Sequence, residues 1–149
     1  EIDHAFVPAS SALVAPNAHG WRFHLEPGPP GCEERLVVCL HASQDVADAM
    51  RQHGRELLPA AATLHIYPPS GEPGRTSLDP ADANELAAAI AANINSARRE
   101  HRASSTHLYL ACPWPLAALL GWHLSSSGRL VMHESDVARS SYRASCEIN

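Results

Sequence analysis

Lysine is missing: every basic residue among the 149 is an arginine. That excludes a phosphate-loop lysine, a Schiff-base lysine and a lysine general base. With the high alanine content, it reads mainly as a compositional bias of the source genome. No apolar run reaches the roughly 20 residues that a membrane-crossing helix needs; Ala87–Ala92 is alanine-rich, but polar residues flank it. No secretory leader is visible, and the first residue is Glu1 rather than methionine, so the chain is expected to be cut from a longer protein or trimmed. The four cysteines, Cys32, Cys39, Cys112 and Cys146, form no CxxC pair. Cys39 and Cys112 sit in apolar strand contexts, where free cysteine behaves as a small hydrophobe. A reducing cytoplasm is therefore preferred over a disulfide scaffold. There is no HExxH, no finger-type Cys/His spacing, no GxSxG and no GxGxxG after a strand. A net charge of −5 argues against general nucleic-acid binding, so an anionic ligand would need a local site.

What is present is a folded globular composition, 45% apolar and 18% charged, of a length that fits one domain with a sizeable core. The chain is organised around Thr106–Leu124. His107–Ala111 is a short apolar strand, and Cys112-Pro113-Trp114-Pro115 breaks it, because proline cannot continue a ladder. From Pro115 the spacing turns helical, with Leu116, Leu120 and Leu124 sharing a face with Leu119. Gly121 inside that helix costs about 1 kcal/mol against alanine, and close backbone approach to a neighbour is its expected reason. A strand feeding a helix through a tight turn is expected to leave amide N–H groups at the strand's carboxyl end, where anions are held.

Before this stretch, residues 1–20 read as a linker or N-terminal extension, with Ala5–Val7 and Ala9–Val14 as weak strand and helix candidates. Trp21–Leu25 alternates as a half-buried strand. Pro27–Gly31 turns the chain into a strand at Arg35–Leu40, and the two strands are expected to pair as an edge hairpin. Ser43 is a plausible cap for a helix to about His53, with Val46 and Met50 inward and Gly54 as its stop. Ala61–Tyr67 is a strand, and Pro68–Ser77 a long loop past its carboxyl end. Asp79 caps the clearest helix, with Pro80 at its first position, Leu86, Ile90, Ile94 and Ala97 as its stripe, and cations at its end. Leu130–Glu134 and Ser141–Ile148 are further strands, the last at an edge. The alternation predicts an α/β fold with a mainly parallel sheet, helices on both faces and an antiparallel edge hairpin.

Ligands of such sheets bind outside the carboxyl ends of the strands. The loops there are His41–Ser43, Pro68–Ser77, Cys112–Trp114 and Glu134–Asp136. Ten histidines invite a metal reading, but their spacing gives none. His65, His107 and His133 fall one residue out of the apolar register and read as solvent- or helix-facing. His41, at a strand's carboxyl end, is a candidate ligand contact or base, against a turn residue bonding backbone. Cys112 at a helix start is a thiol candidate, against a small residue in a tight turn. Glu33-Glu34 reads as solvated.

The run HLYLACPWPLAALLGWHL, with LVMHESD and SYRASCEIN after it, resembles the C-terminal part of SAVED domains, the cyclic-oligonucleotide sensor modules of bacterial CBASS and type III CRISPR anti-phage effectors. The resemblance implies a Rossmann-like (CARF-like) sensor domain over 21–149 that binds a cyclic oligonucleotide, such as a cyclic oligoadenylate. It would signal to a fused or associated effector by conformational change or oligomerisation, without catalysis, metal or cofactor in this chain. It implies no duplex nucleic acid and no membrane contact. Ser43 and the backbone after Cys112 would meet phosphates, Trp114 would stack on a base, Tyr142 would pack or bond near the pocket and Arg143 would pair with phosphate. The remaining candidates are His41, Ala42, Pro69, Ser70, Pro113 and Glu134. Ser43 has the alternative of a helix cap only, Trp114 of surface packing, Tyr142 of a core tyrosine and Arg143 of a solvated edge residue. The family's domain is usually larger, with two such sheet units. Either this chain is a partial domain, or a second copy or partner completes the pocket. The competing readings are a small Rossmann-like hydrolase acting on a nucleotide or phosphoester, with His41 as base, and a module that only mediates oligomerisation.

Overall fold

Leu36, Val38 and Leu40 alternate with Val37 and Cys39, and both sets are buried, as a strand covered on both faces requires. This strand lies inside a six-stranded sheet, seen in a computed structural model that describes residues 19–29, 33–43, 46, 60–74, 78–136 and 141–148. The elements are β1 (Arg22–Pro27), β2 (Glu33–His41), β3 (Ala60–Tyr67), α1 (Pro80–Glu100), β4 (Ser105–Ala111), α2 (Trp114–Leu124), β5 (Arg129–Asp136) and β6 (Ser141–Ile148). The strand order is β1-β3-β2-β4-β5-β6. β3, β2, β4 and β5 run parallel to their neighbours, while β1 and β6 pair antiparallel at the two ends. The fold is thus mixed α/β.

The expected hairpin between the first two strands does not form. β3 inserts between them, pairing antiparallel with β1 and parallel with β2. Ala62, Leu64 and Ile66 are buried, which suits an inner position for β3, and the half-polar alternation of Arg22–Pro27 suits the edge. The Gly28 amide bonds the Ala61 carbonyl at 2.7 Å, which fixes the chain as it leaves β1.

The helix over Pro80–Glu100 forms as its sequence predicts. The Asp79 carboxylate accepts the Ala81 N–H at 2.9 Å, and Pro80 opens the helix. Its far end closes through Arg102 at φ 51°, with the Ala103 N–H on the Arg98 carbonyl at 2.9 Å. Leu86, Ile90, Ile94 and Ala97 face Leu116, Leu120 and Leu124 of α2 and the sheet residues Leu36, Val38, Leu40, Leu64, Ile66 and Leu108 in one core. Gly121 does not serve close packing: it is exposed, and a Cβ there would meet nothing within 4 Å.

α1 and α2 therefore share one face of the sheet. The helix expected over Ser43–His53, like residues 1–18, falls mostly outside the described residues; Val46 is buried, as its inward placement requires. At the far edge Arg129 Nε lies 2.6 Å from Glu147 Oε1 across β5 and β6, and this hydrogen bond holds the Glu147 carboxyl below its ordinary pKa.

Candidate ligand-binding site

Because β3, β2, β4 and β5 are parallel, their carboxyl ends share one edge of the sheet. The antiparallel strands β1 and β6 bring their first residues to the same edge, with Arg22 opposite Tyr67 and Ser141 opposite Asp136. Connections from β2 and β4 leave in opposite directions along the sheet, so the gap between these strands is the topological switch point, where α/β sheets hold ligands. A cleft of about 190 Å³ opens there, lined by Trp21, Ala42, Ser43, Gly74, Leu78, Pro113 and Leu116.

Backbone bonds build its walls. The amides of Ala42 and Ser43 both reach the Ala111 carbonyl, at 3.0 and 2.7 Å, and clamp the end of β2 to the end of β4. The Gly74 amide returns to the Ala42 carbonyl at 2.8 Å. Gly74 has φ +85°, and a Cβ on it would lie 3.1 Å from the Ser43 carbonyl oxygen, so the position needs glycine on both counts. The amides expected to await an anion are largely used: those of Leu116 and Ala117 bond the Pro113 carbonyl, and Pro115 has none. Among the described residues, no backbone carbonyl takes the Trp114 amide in the first turn of α2. Its indole is 79% exposed beside the cleft-lining Pro113.

Ala42, Ser43 and Pro113 thus meet in one cleft, with Cys112 and Trp114 on either side of Pro113. Pro69 and Ser70 lie in the turn after β3; the Ser70 hydroxyl bonds the backbone of Glu72 within that turn. Backbones of Glu134 and Arg143 pair across β5 and β6 near the same edge, and Tyr142 pairs with Ser135; the side chains of Glu134, Tyr142 and Arg143 lie outside the described residues. Four lining residues, Trp21, Gly74, Leu78 and Leu116, were absent from the sequence set. For Trp21 the signal existed, since an antiparallel first strand starts at this edge whichever neighbour it has. Arg22 also reaches the rim: a Cβ on Gly71 would lie 3.9 Å from its Nη1.

His41 is placed differently. It is fully buried on the sheet face away from α1 and α2, and it does not line the cleft. Val46 N–H donates to its Nδ1 at 3.1 Å, and its Nε2 lies 3.1 Å from His65 Nδ1. Sealed from solvent, it does not reach a bound phosphoester as a base. Nor is the Cys112 thiol activated: burial pushes it up to about 11, against a smaller opposing pull from the Ala117 amide. His65 and His133 face neither solvent nor the two helices. They are buried on the second sheet face, where His107 Nδ1 lies 2.8 Å from His133 Nε2 and Tyr109 stacks on His133 at 4.3 Å.

Cys39, His41 and His65 bring their ligand atoms within 4.8 Å of one another, a donor set of the kind that takes zinc. Sequence spacing hid it, because Cys39 and His65 become neighbours only through the β2–β3 register. Hydrogen bonding works against metal uptake. A neutral imidazole has one lone pair, and Val46 N–H already occupies that of His41 at Nδ1, leaving a proton on Nε2.

The six-stranded mixed sheet thus defines an α/β module with a cleft at the position where such sheets hold ligands. The chain belongs to the SAVED family, the SMODS-associated and fused to various effectors sensor domain, whose model matches residues 11–148. No curated protein sequence matches the chain. Among solved structures it is similar to the Acinetobacter baumannii Cap4 SAVED/CARF-domain containing receptor with the cyclic trinucleotide 2'3'3'-cAAA: TM-score 0.66, 19% identity, 87% of this chain and 27% of that one covered. The same receptor with 3'3'3'-cAAA gives a TM-score of 0.65 at 18% identity, covering 85% of this chain and 27% of that one. Without a ligand in its description it gives 0.63 at 18% identity, covering 88% and 26%. The chain therefore spans about a quarter of the length of these receptors.

Proposed function

We propose that the chain is the cleft-bearing part of a sensor that binds a cyclic oligonucleotide second messenger and passes the signal to an effector in anti-phage defence. The observation that carries this reading is the cleft itself, where the ends of β2 and β4 converge at the switch point of a sheet that we read as Rossmann-like and mainly parallel. Trp21, Leu78 and Leu116 offer an apolar wall to a base, Ser43 an exposed hydroxyl, and Trp114 an amide and an open indole face. At about 190 Å³ the cleft is smaller than the roughly 300–1,000 Å³ of most ligand pockets. In this reading it takes one base, with the rest of the ring lying over the exposed edge or against a further element. That fits a site completed by a second sheet unit, another copy or the remainder of a longer chain. In this reading the protein works in the cytoplasm, self-associates or bends on binding, and leaves chemistry to a separate effector. Thermal unfolding with a panel of cyclic di-, tri- and tetranucleotides tests it. One member at 100 times its dissociation constant adds roughly 2.7 kcal/mol of stability, and the ligand is recovered intact. Hydrolysed ligand would favour the phosphoesterase reading.

A further inference from the structure

The clamp on Ser43 has two ends. One is the pair of amides, Ala42 and Ser43, on the Ala111 carbonyl. The other is a side chain: His41 Nδ1 accepts the Val46 N–H at 3.1 Å, closing the chain segment that contains Ser43. The tautomer follows from this contact. With the Nδ1 lone pair taken, neutral His41 carries its proton on Nε2 and donates it to His65 Nδ1, 3.1 Å away. His65 then carries its own proton on Nε2, which points toward Glu26 Oε2 at 3.6 Å. Tyr67 stacks on His41 with ring centroids 4.5 Å apart and planes 7° apart, and holds the imidazole flat. The order thus runs from a carboxylate on the edge strand β1, through β3, to the end of β2 and a backbone amide beyond the turn.

We infer that His41 is a positioning residue for the cleft: its imidazole, oriented by His65, ties the Val46 amide to the end of β2 and so positions Ser43 for the ligand without touching the ligand itself. This rests on the sensor reading. It also accounts for a buried histidine at the strand end where the sequence pointed to a ligand contact.

The test compares two variants in binding the member of the cyclic di-, tri- and tetranucleotide panel, 3'3'3'-cAAA and 2'3'3'-cAAA included, that most stabilises the native chain. His41→Asn keeps an acceptor near the Nδ1 position; His41→Phe keeps the ring and loses the acceptor. Both lose the bond to His65, and only Phe keeps the ring against Tyr67, so weaker binding by Phe than by Asn is assigned to the lost Val46 tie. His41→Asn is expected to bind within about threefold of the native chain, and His41→Phe about tenfold or more weakly. Equal binding by the two variants overturns the inference. Should His41→Phe not fold, nitrogen-resolved NMR of the native histidines decides: a protonated Nε2 and an unprotonated Nδ1 on His41 support the inference, and the reverse tautomer overturns it. Stabilisation of the native chain by Zn²⁺, lost in Cys39→Ala, also overturns it, because a metal needs the Nε2 lone pair. Native protein that binds no member of the cyclic di-, tri- and tetranucleotide panel defeats the sensor reading, and this inference with it, whereas native binding with equal variants defeats this inference alone.

Discussion

The two faces of the sheet are built from different materials. Against α1 and α2 it presents Leu36, Val38, Leu40, Leu64, Ile66 and Leu108, a surface specified by volume. The opposite face carries one rung of polar and sulfur groups across five strands, His24, His65, Cys39, Tyr109 and His133 in register. Along that rung, beside a smaller apolar cluster of Val37, Val46 and Ala111, the pairing depends on which nitrogen holds which proton. An aliphatic face tolerates exchange of one hydrocarbon for another of similar size. The histidine face does not, since a ring deprived of its partner leaves a buried nitrogen unsatisfied. The cleft lies where the two meet, with aliphatic Leu78 and Leu116 on one side and Ala42 and Ser43, next to His41, on the other.

The largest effect belongs to the aliphatic face. Leu120→Ala removes a fully buried side chain between α1, α2 and the sheet. Denaturant unfolding should show a loss of about 2–5 kcal/mol; a loss below about 1 kcal/mol would mean that the core is not set by packing. Next comes Cys112, packed against the same core. Its folded pKa is raised to about 11 from an ordinary 9.0, so its contribution to stability is complete below pH 9 and is lost as pH rises toward 11. Native stability should fall across that window by at most roughly 1.4 kcal/mol per pH unit from this group, and Cys112→Ala should flatten the slope. An unchanged slope would remove Cys112 as its cause. On the histidine face, a double-mutant cycle of His107→Ala and His133→Ala should give a coupling of about 1 kcal/mol, within the roughly 0.5–3 kcal/mol of contacting pairs; additive losses would show that the 2.8 Å contact carries no energy. The smallest change is a gain. Gly121→Ala, at an exposed helical position with nothing near its Cβ, should stabilise by up to about 1 kcal/mol in the same unfolding experiment.

The aliphatic face was the legible one. Leu86, Ile90 and Ile94, or Leu116, Leu120 and Leu124, announce a buried helical stripe by spacing alone, and Asp79-Pro80 marks a helix start by local chemistry that tertiary structure does not alter. Strand neighbours are not written in spacing. The alternation in Trp21–Leu25 fits a partner on β2 as well as on β3, which is how the expected hairpin failed. The histidine pairs were hidden for the same reason: His41 and His65 are 24 residues apart, and only the β2–β3 pairing makes them touch. Gly121 misled because glycine in a helix has two readings, close packing or a tolerated weakness, and only the neighbouring space separates them. Of the site, the loops at the carboxyl ends were legible from topology, and Ala42, Ser43 and Pro113 do line one cleft. Leu78 and Leu116 were not, because an apolar residue lining a cleft carries the same signature as one in the core, whereas Trp21 follows from an antiparallel first strand that starts at this edge.

The central claim is that this cleft is a nucleotide site, and Trp114 probes it most directly. Its indole is 79% exposed, so Trp114→Ala leaves the core intact while removing a stacking contact of about 1–3 kcal/mol. Titration calorimetry of the native chain and of Trp114→Ala with cyclic di-, tri- and tetranucleotides should show binding of at least one ring by the native chain and binding about 5- to 150-fold weaker in the variant, at equal thermal stability without ligand. Binding of equal strength by both proteins, or by neither, would contradict the account.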